Sequence, residues 1–208
     1  MLRVLVTNIK GGCGKTTIAT NLAAAFAAGG FDTGLAEVDR QRSSLGWLKL
    51  RNGSFRPIET LDWRKSVGDV PGQVQRLVID APANLRMKHI EDLIREADVV
   101  VVPVLASVFD ETSTERFLTK LDDIKPIRKG RKGVVLVANR QRPRSKATQR
   151  LESFLEGLEQ PVAARLSERA AYSELAVQGL SIFDVDGRTV QPLREEWRPL
   201  LSAIEEMA

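Results

Sequence analysis

The densest chemistry in the sequence is the run Lys10-Gly11-Gly12-Cys13-Gly14-Lys15-Thr16-Thr17. It follows an apolar, β-branched run at 2–7 and opens an alanine-rich helical pattern over Lys15–Ala28, so it forms the turn from a strand into a helix. Glycines in such a turn let backbone N–H groups point inward and approach a phosphate closely. The helix N-terminus adds its dipole. Lys15 would neutralise the β- and γ-phosphates, and the Thr16 hydroxyl would hold Mg²⁺. The strict spacing G-x-x-x-x-G-K-[ST] would need glycine at position 9, where Ile9 stands. A second lysine, Lys10, precedes the glycine pair instead. These residues could also be a plain glycine-rich turn, but the strand before and the helix after favour a phosphate loop.

Two acidic positions complete a candidate site. Asp80 ends the run Leu77-Val78-Ile79 and precedes Ala81-Pro82. An aspartate at the C-terminal end of a buried strand beside a phosphate loop is placed to hold magnesium, directly or through water. Asp39 follows the second strand, in Glu37-Val38-Asp39-Arg40-Gln41. It falls at the same sheet edge, where ligands bind in open α/β sheets. Either aspartate alone would be better read as a cap or turn residue; three strand ends converging on one point favour the functional role.

The elements that must position these groups alternate. Strand patterns occupy 2–7, 33–38, Arg76–Asp80, 98–104 and 133–138, with the near-continuous Val, Ile and Leu content of strands covered on both faces. Helical patterns occupy Lys15–Ala28, 85–96, 111–124 and 146–158, with weaker ones at 168–177 and 194–207. The order predicts an α/β, doubly wound, mostly parallel sheet flanked by helices, in one domain spanning 1–208. The stretch 52–75 reads as the least regular.

Composition bounds the function. The chain has 208 residues, 43% hydrophobic and 28% charged, an ordinary balance for a globular domain able to bury a core. One cysteine forbids an internal disulfide and suits a reducing cytosol. One histidine and one cysteine argue against a His/Cys metal cage. No 18-residue apolar run predicts a membrane span, and the N-terminal strand pattern does not suit a signal peptide. The net charge of +4 is uneven. Between Arg116 and Arg150 twelve basic residues face only Asp122 and Asp123, so this window carries +10 and the remainder −6. Such a block suits a polyanion-binding face at least as well as a merely solvated one.

The chain resembles the ParA/MinD family of deviant Walker-A ATPases, in particular its small ParA-like (ParF-like) partition and positioning members. The resemblance rests on Lys10–Thr17, Asp39-Arg40-Gln41 and Val78-Ile79-Asp80-Ala81-Pro82. It continues through Val102-Pro103-Val104, Val137-Ala138-Asn139-Arg140, Arg169-Ala170-Ala171-Tyr172 and Gly179-Leu180-Ser181-Ile182-Phe183. It implies the P-loop NTPase fold and a homodimer that sandwiches two ATP molecules with Mg²⁺. Lys10 matches the signature lysine that reaches the partner's nucleotide, and Lys15 the lysine that binds phosphate within its own subunit. Gly11, Gly12, Cys13 and Gly14 would cradle the phosphates. Thr16 would ligate Mg²⁺, joined by Asp80 and Asp39, and Thr17 would contact the α-phosphate. Asp39 matches the aspartate that orients the attacking water, and Asn139 the position near the adenine. Hydrolysis is expected to be slow and stimulated by a partner. One departure stands out: the family pattern Asp-x-Asp-Pro-Gln is here Glu37-Val38-Asp39-Arg40-Gln41.

Within the family, the lone cysteine excludes a shared metal cluster, and a single tyrosine excludes a tyrosine-kinase tail. The ending Glu205-Glu206-Met207-Ala208 does not suit an anionic membrane, so the stripe Trp197, Leu200, Leu201 and Ile204 is expected to pack on the core. The chain opens in the first strand, which argues against operator-specific repression. The expected function is an ATP-dependent, dimerising ATPase that binds nucleoid DNA non-specifically and positions a cargo through an adaptor protein, in the cytoplasm at the nucleoid and with no membrane partner. The main DNA-contact candidates are Lys125, Arg128, Lys129, Arg131, Lys132, Arg140, Arg142, Arg144 and Lys146. Arg165, Arg169, Arg194 and Arg198 are secondary ones, for which surface ion pairing is an equal alternative. Two other classes stay open: an ATP-dependent amide- or carbamate-forming ligase of the dethiobiotin synthetase or cobyrinic acid amidating type, and a nucleotide-switched scaffold acting only through proteins.

Overall fold

Seven strands form one parallel sheet in the order β3-β2-β4-β1-β5-β6-β7. The structure is a computed structural model that describes residues 1–207, with side chains described outside 108–110. Along the chain the elements are β1 (Leu2–Val6), α1 (Lys15–Ala28), β2 (Thr33–Glu37), α2 (Ser43–Leu50), β3 (Ile58–Asp62), β4 (Arg76–Asp80) and α3 (Met87–Glu96). Then come β5 (Val99–Leu105), α4 (Val108–Asp122), α5 (Lys125–Arg128), β6 (Gly133–Gln141), α6 (Lys146–Glu156), β7 (Val162–Ser167), α7 (Ala170–Ala176) and α8 (Gln191–Glu206).

The continuous valine runs have a simple cause. Successive side chains leave a strand on opposite faces. Val4, Val6, Val99 and Val101 pack under α1, α2, α7 and α8, while Leu5, Val100 and Val102 pack under α3, α4, α5 and α6. Both faces are therefore dry, and alternation with polar residues disappears. Ala19, Ala23, Ala24 and Ala27 bring α1 close to the sheet. Of the expected stripe on α8, Trp197, Leu200 and Ile204 are buried and Leu201 packs half-buried against the core; Leu193 is buried with them, and the Trp197 indole donates to the Tyr172 hydroxyl at 2.9 Å.

Four elements lie outside the predicted set, one of them the single turn α5, which carries Pro126 at its start. β3 sits inside the stretch read as irregular, and β7 lies past the last predicted strand. Both are sheet edges, where polar and charged residues such as Glu59, Asp62 and Arg165 replace the Val/Ile run. The last, α2, is two turns long and contains Gly46, too short for a helical period to stand out.

α2 is clamped at its far end. Arg51 meets Asp184 through two bonds of 2.8 and 2.7 Å, both side chains almost fully buried, and Trp47 Nε1 donates to Leu180 O at 3.1 Å. A Cβ on Gly179 would run into the backbone of Leu50 and Arg51, so only glycine allows this approach. Asp184→Ala would leave a buried guanidinium uncompensated and is expected to cost about 3–5 kcal/mol in denaturant unfolding. A loss below about 1 kcal/mol would mean that solvent reaches Arg51.

Candidate functional site

β1, β2 and β4 end together. Val6, Asp80 and Glu37 lie in register across the three neighbouring strands, so the segments that follow them leave the sheet at one edge. The loop after β1 is anchored first by Asn8, which is buried. Its Nδ2 donates to Pro103 O at 2.7 Å, and its Oδ1 accepts the Lys10 N–H at 3.1 Å. The backbone turns through left-handed Gly12 (φ 76°) and Gly14 (φ 91°). A Cβ on Gly14 would overlap Asn139 Nδ2, which itself donates to Cys13 O at 2.8 Å. Position 14 therefore needs glycine twice over, for its dihedral and for its space.

α1 begins at Lys15 with no side-chain cap and no acidic residue in its first turn. Its first N–H groups face out of the sheet edge, an arrangement that favours an anion. Lys15 is buried, and its ammonium donates to Lys10 O at 2.7 Å. Cys13 is buried as well, and burial pushes its thiol upward against the pull of Lys15, so it stays neutral at pH 7 and serves packing. Lys10, Thr16 and Thr17 lie half-buried, with Gly11 and Gly12 exposed at the rim.

Asp80 is the outstanding group. It is buried, and neither carboxylate oxygen has a hydrogen-bond partner. Burial first, and then the Glu37 carboxylate, push it up to about 7, against the opposing pull of the Thr16 hydroxyl and Lys15. An orphaned, buried, all-oxygen donor beside a threonine hydroxyl suits Mg²⁺, which keeps most of its shell as water and phosphate oxygens. The group carries a stability cost. Its pKa in the folded chain exceeds the usual aspartate value of 3.8, so its contribution favours folding below that value and is lost as pH rises towards 7. Asp80→Asn is therefore expected to match the parent near pH 4. By pH 8 it should exceed it by on the order of 4 kcal/mol, or roughly 10 °C in Tm. Thermal melts of the nucleotide-free protein check this, and an equal Tm difference at both pH values would contradict it.

Asp39 is half-buried on the loop joining β2 to α2, and its Oδ1 accepts the Gln41 N–H at 3.0 Å. Its own N–H is held at 2.8 Å by Glu37 Oε1. Glu37 was legible only as a departure from a pattern; its buried carboxylate in fact organises this loop. On the other side of α1 a cavity of about 590 Å³ opens between Thr17, Ile18, Asn139, Arg140 and the β7–α7 junction, with Trp197 at its wall. Asn139 thus lines the cavity and also pins the phosphate loop. The second duty is invisible in the sequence.

The basic block does not form one face. Lys125, Arg128, Lys129, Arg131 and Lys132 precede β6, whereas Arg140 stands at its far end, just before Gln141, and Arg142, Arg144 and Lys146 follow it. A strand of nine residues separates the two groups by about 26 Å, placing them at opposite ends of the sheet. Several members are also engaged. The Lys132 ammonium caps α3 through Arg95 O and Ala97 O. Arg142 pairs with Glu168, Arg150 with Glu111, and Arg165 with Glu152. Arg194 donates to Ile182 O and Val185 O, and Arg198 pairs with Glu195. Lys125, Arg128, Lys129 and Arg131 are exposed at the lower end, and Arg140, Arg144, Lys146 and Arg169 at the end carrying the phosphate loop. His89 is exposed on α3, as expected for a surface residue. Among the described residues no helix is long and apolar enough to cross a membrane.

Comparison with known proteins agrees with the fold. The chain is 29% identical over 196 residues to the Maintenance of carboxysome distribution protein A of Halothiobacillus neapolitanus, a match covering 88% of this chain and 87% of that one. Its backbone resembles the cell division ATPase MinD of Pyrococcus furiosus with a TM-score of 0.73, 19% identity and full coverage of both chains. It also resembles McdA of Cyanothece in an ATP complex, with a TM-score of 0.67, 16% identity and 96% of each chain covered. Residues 4–182 match the CobQ/CobB/MinD/ParA nucleotide binding domain, and the chain belongs to that family.

Proposed function

We propose that this protein is an ATP-hydrolysing dimerisation switch of the ParA type, which binds DNA without reading its sequence and positions a large cargo through an adaptor protein. The observation that carries the proposal is a single loop bearing two lysines, Lys10 and Lys15, at a sheet edge where Asp80 and the Asp39 loop converge.

In the proposed mechanism Lys15 and the first N–H groups of α1 hold the β- and γ-phosphates. Gly11, Gly12, Cys13 and Gly14 line the loop, and Thr17 faces the α-phosphate. The nucleoside enters the cavity beside Asn139. Thr16 and Asp80, with Asp39 close by, would hold Mg²⁺, which would supply charge neutralisation for the phosphates. Asp39 orients the attacking water and accepts its proton as the new oxygen–phosphorus bond forms, while the bond from the γ-phosphorus to the β–γ bridging oxygen breaks and ADP leaves with that oxygen's electron pair. Lys10 crosses to the second subunit and stabilises charge on the transferring phosphoryl group there, as an arginine finger does. Turnover is slow until the adaptor stimulates it.

Pairing also supplies a reason for DNA binding to follow nucleotide. Two copies meeting through their phosphate-loop ends would bring the patches at Arg140, Arg144, Lys146 and Arg169 side by side. Two weak sites then act as one bivalent site. Contacts to phosphates alone give steep salt dependence and no sequence preference. The name of the Halothiobacillus relative, which refers to carboxysome distribution, supports a large assembly as cargo. The protein would act in the cytoplasm at the nucleoid. Light scattering with Mg·ATP and with Mg·ADP tests the switch: doubling of mass with ATP alone is expected, and a monomer in both would refute it.

A further inference from the structure

We propose that Glu37 is the positioning residue for Asp39: its buried carboxylate ties the Asp39 backbone and the start of α2 to the end of β2, and so sets the aspartate's place at the phosphate edge. The proposal rests on the catalytic role given to Asp39 above.

Glu37 is fully buried at the last position of β2. One oxygen, Oε1, accepts the Asp39 N–H at 2.8 Å. The other, Oε2, accepts the Ser44 N–H at 2.9 Å and the Ser44 hydroxyl at 2.7 Å. A single side chain therefore closes both ends of the segment from Asp39 to Ser44. α2 has no cap of its own: Arg42 stands at its N-cap in a left-handed conformation (φ 60°) and offers no side-chain bond. Glu37 supplies the missing acceptor from a distance, and a negative charge at a helix N-terminus is favourable. At the other end α2 is fixed through Trp47 to Leu180 and through Arg51 to Asp184. With α2 held at its far end, the Glu37 bonds decide where the Asp39 loop sits.

The location is costly for a purely structural tie. Glu37 stands in register with Asp80, and its charge is one cause of that carboxyl's displacement. Placing a second buried acid there weakens the fold, and an apolar residue would avoid the repulsion. Glutamine keeps the size but offers one acceptor oxygen to two sets of donors, and its amide N–H groups would face the donors of the other set.

The test compares Glu37→Gln, Ser44→Ala and Asp39→Ala as full-length proteins. It uses ATP turnover, affinity for a fluorescent ATP analogue, Tm, and amide hydrogen exchange over the segment 39–47. For Glu37→Gln, kcat should fall at least about tenfold while analogue affinity stays within about threefold, because the phosphate loop is untouched. Exchange at the Asp39 and Ser44 amides should rise at least about tenfold, with the rest of the sheet unchanged. Ser44→Ala removes one of the three bonds and should move the same readouts in the same direction by a smaller factor. It decides the matter alone if Glu37→Gln does not fold. A kcat within twofold of the parent, or kcat, affinity and Tm falling together, would overturn the positioning role. Asp39→Ala separates the two levels. If it is inactive while Glu37→Gln hydrolyses normally, only the positioning role is wrong; if it hydrolyses at the parent rate, the catalytic role of Asp39 is wrong and this inference falls with it.

Discussion

Asp39→Ala is expected to lower ATP turnover by at least about 100-fold and to leave the protein dimeric in Mg·ATP for as long as the nucleotide lasts. The size follows from the role proposed for the carboxylate. A positioned acceptor for the water's proton contributes about 10²–10⁴ in rate. Truncation at Cβ removes that acceptor and the Oδ1 bond to the Gln41 N–H, but leaves the Glu37 bond to the Asp39 backbone in place. The loop should therefore keep its path and the nucleotide its affinity. Phosphate release and light scattering on one sample measure both halves. A variant that hydrolyses normally and stays monomeric with ATP would refute the role.

Lys10→Ala is expected to lower turnover still more, by about 10³-fold, the usual worth of a cation supplied by a second subunit. Nucleotide affinity should change little, because Lys15 and the α1 N-terminus remain. A mixing experiment makes this prediction sharper. Lys10→Ala alone keeps Asp39, and Asp39→Ala alone keeps Lys10. If Lys10 acts across the dimer, each mixed dimer has one site with its own Asp39 and the other subunit's Lys10. Equal amounts mixed before ATP is added should then recover about a quarter of parent turnover, since half the dimers are mixed and each has one working site. A mixture as inactive as its components would place the action of Lys10 within its own subunit.

The central strands were legible because burial on both faces leaves a composition that little else produces. The phosphate loop was legible because its glycines, lysines and threonine are adjacent in sequence. What escaped was non-local or marginal. β3 and β7 carry charge because they are edges, and an edge looks like a loop in a single sequence. The turn Asn139 makes towards Cys13 spans 126 residues, and nothing at either position announces it. Glu37 illustrates the opposite failure: it was noticed, but only as a substitution, since its three bonds form after β2 has placed it. The basic block misled for a related reason. Its residues are contiguous in sequence but not in space, because β6 runs between its two halves. The charge is real, but it lies as two patches, and only the one at the phosphate-loop end is drawn together when two copies pair as proposed.

That consequence defines the most direct test of the whole account. Retention of a random-sequence duplex by the Asp39→Ala protein should be measured with Mg·ATP and with Mg·ADP, at about 50 mM and about 300 mM salt. The predicted result is retention with ATP at low salt, a weakening of at least about 10²-fold at the higher salt, and little binding with ADP. Absence of DNA binding in every nucleotide state at low salt would contradict the account and favour a ligase or a scaffold that acts through proteins alone.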